Sequence, residues 1–140
     1  MVVMKFGGTS VANCEAITRT IGIVESKLDQ KPIVVVSALS GVTDLLYAIC
    51  EAAAKMDKAA TVELLAQLRT RHHNLCDELL AGNADLKKAK AGVDLICEGL
   101  ETTVSAVCTL GELSERSRAI IISAGEKLSS SIICYAMNAK

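Results

Sequence analysis

Two short apolar runs near the start of the chain predict β-strands. The first run is residues 2–6, and the second is the β-branched run I-V-V-V at residues 33–36, directly after Pro32. The second run has no polar–apolar alternation, which is typical of a strand that is buried on both faces. Over residues 10–28, apolar residues recur at helical spacing, namely Ile17, Ile21, Val24 and Leu28. Strand, helix and strand together predict a right-handed βαβ unit with parallel strands.

The remainder of the chain carries mainly helical spacing. A small polar loop at residues 37–44 leads into a predicted helix with Val42, Leu45, Leu46 and Ile49 on one face. Residues 61–80 and about 84–109 predict two long helices, and so an antiparallel helical hairpin over about 58–109. Two further segments fit a capping box and predict the starts of a short helix through Ile122 and of a last helix. These segments are residues 109–112 and 123–126.

The predicted fold class is therefore α/β, helix-rich, with few parallel strands. Two strands make a thin sheet, since sheets commonly have about five or six. The pattern favours either a small helix-dominated domain or the opening portion of a larger α/β domain.

Composition and charge argue against several classes of protein. The chain has 140 residues, 51% of them apolar but few aromatic, so its core must be mainly aliphatic. A net charge of −1 gives no electrostatic case for binding nucleic acid. We find no apolar run of the roughly 18 residues that a membrane span requires, and no signal peptide at the N-terminus. We therefore expect a cytoplasmic protein with no nucleic-acid or membrane partner.

The cysteines and histidines do not predict a metal centre. The six cysteines are widely spaced and include no C-x-x-C pair, which disfavours both a zinc site and a disulfide framework. We expect most of them to be buried free thiols. His72 and His73 are adjacent, and neighbouring residues on a helix point about 100° apart. That arrangement favours an ordinary helix surface, and no residue is assigned as a metal ligand.

The clearest indication of chemistry is the turn after the first strand. Lys5 is followed by Gly7, Gly8, Thr9 and Ser10, at the start of a helical pattern. Glycines let the backbone approach a phosphate closely, a helix N-terminus adds partial positive charge, and lysine adds a full one. The turn therefore predicts a polyphosphate site. The ordinary local alternatives are a strand-end lysine, a plain turn and a helix N-cap.

Three motifs together resemble the aspartate kinases of the amino-acid kinase family. They are K-F-G-G-T-S-V at residues 5–11, S-A-L-S-G-V-T-D at 37–44 and S-A-G-E-K-L-S at 123–129. The resemblance implies an amino-acid-kinase-like three-layer fold, with residues 1–140 as the N-terminal portion of the kinase domain. It also implies that the second lobe and the regulatory ACT domains of such kinases have no counterpart in this chain.

The resemblance implies a reaction as well. An aspartate kinase transfers the γ-phosphate of ATP to the side-chain carboxylate of L-aspartate, the first step toward lysine, threonine and methionine. ATP and Mg²⁺ are the implied cofactors, with Mg²⁺ bridging the phosphates and few direct protein ligands to it. A homodimer or a higher homo-oligomer is implied for the full-length protein.

The same resemblance assigns roles to particular residues. Lys5 is the implied catalytic residue, since it would neutralise the moving phosphoryl group. The residues that would contact the ATP phosphates are Lys5, Gly7, Gly8, Thr9 and Ser10. Aspartate would be bound by hydroxyl and carboxylate side chains, with the carboxylate facing its ammonium group. These side chains are Ser37, Thr43 and Glu126.

Two alternatives stay open from the sequence. One is another amino-acid kinase relative that acts on a different carboxylate, a carbamate or a nucleotide. The other is a non-catalytic interaction or regulatory fragment that keeps the fold. The T-D pair at residues 43–44 and the G-E-K-L-S segment at 125–129 favour aspartate. For Glu126, the local alternative is the third helical position of a capping box. Turn and cap chemistry would explain Ser37 and Thr43.

Overall fold

Two strands and five helices carry most of residues 1–139, the part of the chain that the computed structural model describes. The elements, in chain order, are β1 (Val2–Phe6), α1 (Cys14–Glu25), β2 (Pro32–Val36), α2 (Val42–Ala54), α3 (Lys58–Leu79), α4 (Leu86–Leu110) and α5 (Glu115–Asn138). Short 3-10 turns span Gly8–Val11 and Leu28–Gln30. The described part of the chain is thus helix-rich, and its two strands both lie within the first 36 residues.

The two strands form one parallel sheet in a simple register. Val2 lies beside Pro32, and Phe6 lies beside Val36. Side chains alternate between half-buried and exposed along both strands, and the half-buried Val34 and Val36 face Ile133 of α5. The opposite face carries Val3 and Ile33, which are 63% and 49% exposed. The prediction that β2 is buried on both faces is wrong within residues 1–139, because helices cover only one face of this sheet.

The core lies mainly among the helices. Helix α5 packs against α4 and α2, and α3 packs against the same two helices. Each helix contributes aliphatic side chains spaced three or four residues apart, which places them on one face. Burying such a side chain fully contributes about 1.5–3 kcal/mol. The fully buried aliphatic residues include Ile17, Leu46, Ile49, Leu68, Val93, Ile121, Leu128 and Ile132.

Helix α1 begins later than its apolar spacing predicts. The pattern places its start at residue 10, but the helix starts at Cys14 and the preceding residues form a 3-10 turn. Asn13 is the N-cap, and its side-chain oxygen accepts a hydrogen bond from the Ala16 N–H at 2.9 Å. A side-chain cap of this kind satisfies one of the unpaired N–H groups of the first turn. The helix also ends at Glu25, three residues before the predicted limit.

Helices α3 and α4 run antiparallel, as their cross-helix ion pairs show. Arg69 of α3 contacts Glu101 of α4 at 2.8 Å. Two turns along, Lys90 of α4 contacts Asp77 of α3 at 2.7 Å. A later residue of α3 therefore pairs with an earlier residue of α4, so the two helices run in opposite directions. These pairs are partly exposed and each contributes little stability, which leaves the apolar face as the main source of packing energy.

Both predicted capping boxes are wrong. Helix α4 continues to Leu110 and ends at Gly111, whose φ of 66° is the left-handed conformation typical of a helix C-terminus. Ser114 caps α5, and its hydroxyl oxygen accepts from the Ser117 N–H at 3.0 Å. Residues 123–126 lie inside α5, which is one continuous helix of 24 residues. The S-x-x-E spacing also suits a helix interior, so it cannot by itself mark a helix start.

Helix α5 is also the one described helix that is long and apolar enough to cross a membrane, judged by length and composition alone. Its apolar residues contact α2 and α4, and Leu128 and Ile132 are fully buried there. The core helix of a globular fold passes the same test. The packing therefore accounts for the apolar character of α5.

The sequence predicted that the two histidines lie on an ordinary helix surface, and for His72 this prediction is wrong. His72 is fully buried, and its Nδ1 is 2.7 Å from the Leu68 carbonyl oxygen. With Nδ1–H donating to that oxygen, Nε2 is an acceptor, and it has no partner among the described residues. Burial lowers the pKa of His72, and the positive charges of Arg71 and His73 lower it further. His73 instead contacts Asp94 of α4 at 2.9 Å.

The six cysteines are free thiols, as predicted. Cys50, Cys76, Cys97 and Cys108 are buried, Cys14 is half-buried, and Cys134 is exposed. Burial raises the pKa of the Cys76 thiol to about 11. A buried, protonated thiol behaves as a small apolar side chain, so most of these cysteines belong to the core.

The buried imidazole gives a prediction about acid stability. The unfolded chain protonates His72 near its ordinary pKa of about 6.5, whereas the folded chain does so only at lower pH. The unfolded state therefore binds more protons below that pH, and His72 lowers the free energy of unfolding as the pH falls. We expect His72→Phe to lose this contribution, which is at most about 1.4 kcal/mol per pH unit. Urea unfolding of both chains between pH 8 and 5 measures it, and parallel pH profiles would contradict it.

Candidate functional site

The first two motifs meet at the carboxyl edge of the sheet. The Ser37 N–H donates to the Phe6 carbonyl oxygen at 3.1 Å, which continues the strand pairing one step past β2. A Cβ atom built on Gly8 would lie 3.5 Å from the Ala38 carbonyl oxygen. Parallel strands end at the same edge of a sheet, and ligands of open α/β sheets bind outside that edge. The glycine turn and the β2–α2 loop are therefore neighbours.

The glycine turn itself is exposed to solvent. The Ser10 N–H donates to the Gly7 carbonyl oxygen at 3.0 Å, which closes the turn. A Cβ on Gly7 would meet nothing within 4 Å, so that backbone is open to a ligand. Thr9 is exposed and Ser10 is half-buried. The Thr20 hydroxyl of α1 donates to the Ser10 carbonyl oxygen at 2.8 Å and ties the turn to the helix behind it.

Lys5 brings a full positive charge to this edge. It is exposed on β1 and lies beside Val35 of β2, so it occupies the uncovered face of the sheet. No ion pair joins its ammonium group to a carboxylate among residues 1–139. An unpaired, solvent-facing ammonium group next to an open glycine turn is suited to an anionic ligand.

The β2–α2 loop is held in one conformation by its own backbone. The Val42 N–H donates to the Leu39 carbonyl oxygen at 3.0 Å. Gly41 has a φ of 76° and forms the N-cap of α2 without a side-chain hydrogen bond. Thr43 is half-buried in the first turn of α2. The loop therefore presents the N-terminus of α2, where the helix dipole is positive, close to the glycine turn.

The third motif joins the same region from the middle of α5. A Cβ on Gly125 would lie only 2.8 Å from the Ala38 Cβ, so α5 approaches the loop more closely than any larger residue allows. Four residues on, the buried Ser129 hydroxyl donates to the Ser37 carbonyl oxygen at 2.7 Å. Residues four apart lie on one face of a helix. Glu126, between them in sequence, is exposed.

The structure thus brings the three motif segments together at one edge. The contacts are between backbones and small side chains: Phe6 with Ser37, Gly8 with Ala38, and Gly125 with Ala38. Ser37 is held from both sides, at its N–H by β1 and at its carbonyl by α5. The roles assigned to Lys5 and Glu126 stay predictions, since these contacts fix only their position in the fold.

Sequence reasoning assigned no role to three residues at this edge. Gly125 and Ser129 lie within the third motif, and their spacing of four within a helix is the signal that both face the loop. Arg71 of α3 also reaches the loop, where its Nη2 donates to the Ser40 carbonyl oxygen. Arg71 lies outside all three motifs and far from the loop in sequence, so no local pattern marks it.

The described residues offer no metal cage. Among residues 1–139, no group of three or more His, Cys, Asp or Glu side chains could hold a metal ion. Mg²⁺ prefers oxygen ligands and usually keeps several waters while it bridges substrate phosphates. A metal that bridges substrate phosphates needs few protein ligands, so the expected Mg²⁺ stays a prediction.

Comparison with known proteins supports the resemblance to the amino-acid kinases. The sequence profile of the amino acid kinase family matches residues 1–140. The chain belongs to the amino acid kinase family. Among curated members, Aspartokinase 3, chloroplastic, of Arabidopsis thaliana is 32% identical over 141 residues, which is 97% of this chain and 23% of the relative. The aspartokinase of Chlamydia muridarum is 34% identical over 134 residues, 95% of this chain and 26% of the relative.

Two solved structures of one aspartokinase share the fold of this chain. Escherichia coli aspartokinase III in complex with aspartate and ADP has a TM-score of 0.79 and 26% identity, covering 99% of this chain and 29% of that one. The same enzyme with lysine and aspartate gives a TM-score of 0.77 at 26% identity, covering 100% and 30%. The predicted amino-acid-kinase-like fold is confirmed, and so is the resemblance to aspartate kinases. The chain spans about a quarter of the length of the curated relatives named here.

The close approach at Gly125 gives a stability prediction. Gly125→Ala forces α5 away from the loop, and overpacking of this kind costs about 1–3 kcal/mol. That cost exceeds the roughly 1 kcal/mol that alanine gains over glycine inside a helix. We therefore expect a lower free energy of unfolding, measured by urea denaturation.

Gly99 of α4 provides a matched control. A Cβ there meets nothing within 4 Å, so Gly99→Ala is expected to raise the free energy of unfolding by about 0.5–1 kcal/mol. A Gly125→Ala chain as stable as the Gly99→Ala chain would show that the helix–loop contact is loose.

Proposed function

We propose that this chain forms the phosphate- and aspartate-binding part of an aspartate kinase, which transfers the γ-phosphate of ATP to the side-chain carboxylate of L-aspartate. One observation carries the proposal: the glycine turn, the β2–α2 loop and the middle of α5 converge at one sheet edge. The relatives support it, since they are aspartokinases, and one solved neighbour is a complex with aspartate and ADP.

The chemistry explains why a lysine is needed there. In the transfer, an aspartate carboxylate oxygen bonds to the γ-phosphorus as the bond to the bridging oxygen of ADP breaks. Both reactants are anions, and negative charge is spread over the phosphoryl oxygens in the transition state. A fixed positive charge at that point stabilises the transition state more than the separated reactants. Lys5 supplies this charge, and the open backbone at Gly7 and Gly8 lets N–H groups contact phosphate oxygens.

Aspartate would be bound on the other side of the same edge. Its two carboxylates require donors, and the Ser37 and Thr43 hydroxyls on the β2–α2 loop supply them. Its ammonium group requires an anion, and Glu126 supplies one. Glu126 is in the interior of α5 rather than in a capping box, which removes the local explanation for a glutamate at this position.

Lys5→Ala tests the catalytic role. The assay uses a chimera in which this chain replaces the matching segment of the Chlamydia muridarum aspartokinase. ATP- and L-aspartate-dependent acyl phosphate is trapped with hydroxylamine and measured as the hydroxamate. We expect kcat to fall by roughly a hundredfold to a thousandfold, the usual loss when a transition-state electrostatic contact is removed.

Lys87→Ala, at an exposed position on α4, is the matched control and should keep full turnover. Circular dichroism checks that both variants fold. Titration of the unmodified chain with L-aspartate and with Mg-ATP by calorimetry adds a test without turnover. An inactive chimera, together with no heat of binding for either ligand, would favour the non-catalytic alternative.

Glu126→Gln tests aspartate recognition separately. The substitution keeps the shape of the side chain and removes the charge that faces the ammonium group. A hydrogen bond to a charged group contributes about 1.5–3 kcal/mol, so we expect KM for aspartate to rise roughly tenfold or more with little change in kcat. The exposed Glu98→Gln on α4 controls for loss of one negative charge. An unchanged KM would remove Glu126 from the binding site.

A further inference from the structure

Arg71 of α3 is the only side chain from the helical hairpin with a hydrogen bond to the β2–α2 loop among the described residues. Its Nη2 donates to the Ser40 carbonyl oxygen. A Cβ built on Gly41 would lie 3.6 Å from its Nη1, so the second nitrogen lies against the next residue of the loop. The planar guanidinium group presents several donors in fixed directions, and here it spans two consecutive loop residues.

Arg71 contacts the middle of the β2–α2 loop. Ser40 and Gly41 lie between Ser37 and Thr43, the two loop residues proposed to bind aspartate, and both are exposed. The loop is anchored at Ser37 by β1 and α5, and after Gly41 by the first turn of α2. Between those anchors, Ala38 packs against Gly125, and the one hydrogen bond from a distant side chain among the described residues is the one that Arg71 donates to Ser40.

The charge of Arg71 is not used in an ion pair. No carboxylate among residues 1–139 pairs with its guanidinium group, unlike Arg69 two residues earlier. Arg71 is half-buried and lines a pocket of about 250 Å³ together with Leu39, Asn74 and Glu78, and the Glu78 carboxylate forms no ion pair with it. The guanidinium group of Arg71 therefore holds the loop backbone at Ser40 and does not neutralise a carboxylate.

We propose that Arg71 is a positioning residue for the amino-acid substrate: it holds residues 37–43 in the conformation that directs the Ser37 and Thr43 hydroxyls toward the aspartate carboxylates. The inference rests on the proposed function, because that function assigns Ser37 and Thr43 to aspartate binding. Binding groups that are displaced by about 1 Å lose much of their effect. Removing the clamp therefore weakens aspartate binding without removing any group that touches aspartate.

The test compares Arg71→Met with Arg69→Met, which shortens an arginine on the same helix that pairs with Glu101 instead. In the chimeric kinase, Arg71→Met should raise KM for aspartate about tenfold while KM for ATP stays within twofold of the parent. Arg69→Met should leave both KM values unchanged. Arg71→Lys, which keeps the positive charge and a single donor nitrogen, should restore part of the affinity.

Hydrogen exchange on the 140-residue chain provides a second readout that does not depend on activity. The Val42 and Leu45 amides bond within the loop and the first turn of α2, and their exchange should accelerate at least fivefold in Arg71→Met. They should be unaffected in Arg69→Met. Unchanged loop exchange and an unchanged aspartate KM in Arg71→Met would overturn the inference. If the unmodified chimera has no aspartate-dependent activity and the chain binds neither L-aspartate nor Mg-ATP, the proposed function fails instead, and the exchange data still decide whether Arg71 holds the loop.

Discussion

The site depends on how closely α5 approaches the β2–α2 loop. Gly125 has no side chain, and a Cβ there would be 2.8 Å from the Ala38 Cβ. At that separation the Ser129 hydroxyl donates to the Ser37 carbonyl oxygen at 2.7 Å. Because Ser37 is also bonded to Phe6 of β1, this one helix–loop contact sets the relative position of all three motif segments. A part-buried hydrogen bond and close packing act together here.

The two sides of the edge have different physical tasks. The strand side offers positive charge and open backbone, with an unpaired Lys5 beside a glycine turn. The helix side offers hydroxyls and one carboxylate on elements that are fixed by packing. This division suits the proposed reaction between two anions, one of which also carries an ammonium group. It also explains why the residues are spread over the first 126 positions: each element supplies one kind of group, and the fold assembles them.

Long-period patterns in the sequence predicted most of the architecture. Both strands were predicted from short apolar runs, the second of them β-branched, and the helices of the hairpin from spacing that repeats over several turns. The two capping-box patterns failed, because a four-residue motif of this kind is compatible with more than one environment. Residues 123–126 match a helix start, yet they lie inside α5, and His72 is buried where its neighbours suggested surface. The site segments were predicted from their motifs, whereas Arg71 was missed, since its contact joins α3 to a loop about 30 residues earlier.

Because α5 is one continuous helix, Glu126 and Ser129 belong to the same rigid element. Each residue along a helix turns the direction of the side chain by about 100°. Ser129 and Glu126 are therefore set at a fixed angle to each other, and a rotation of α5 that broke the serine hydrogen bond would swing the carboxylate away as well. Two separate helices would have let the carboxylate move independently. With a single helix, the direction of the Glu126 side chain is set by the same element that bonds to the loop.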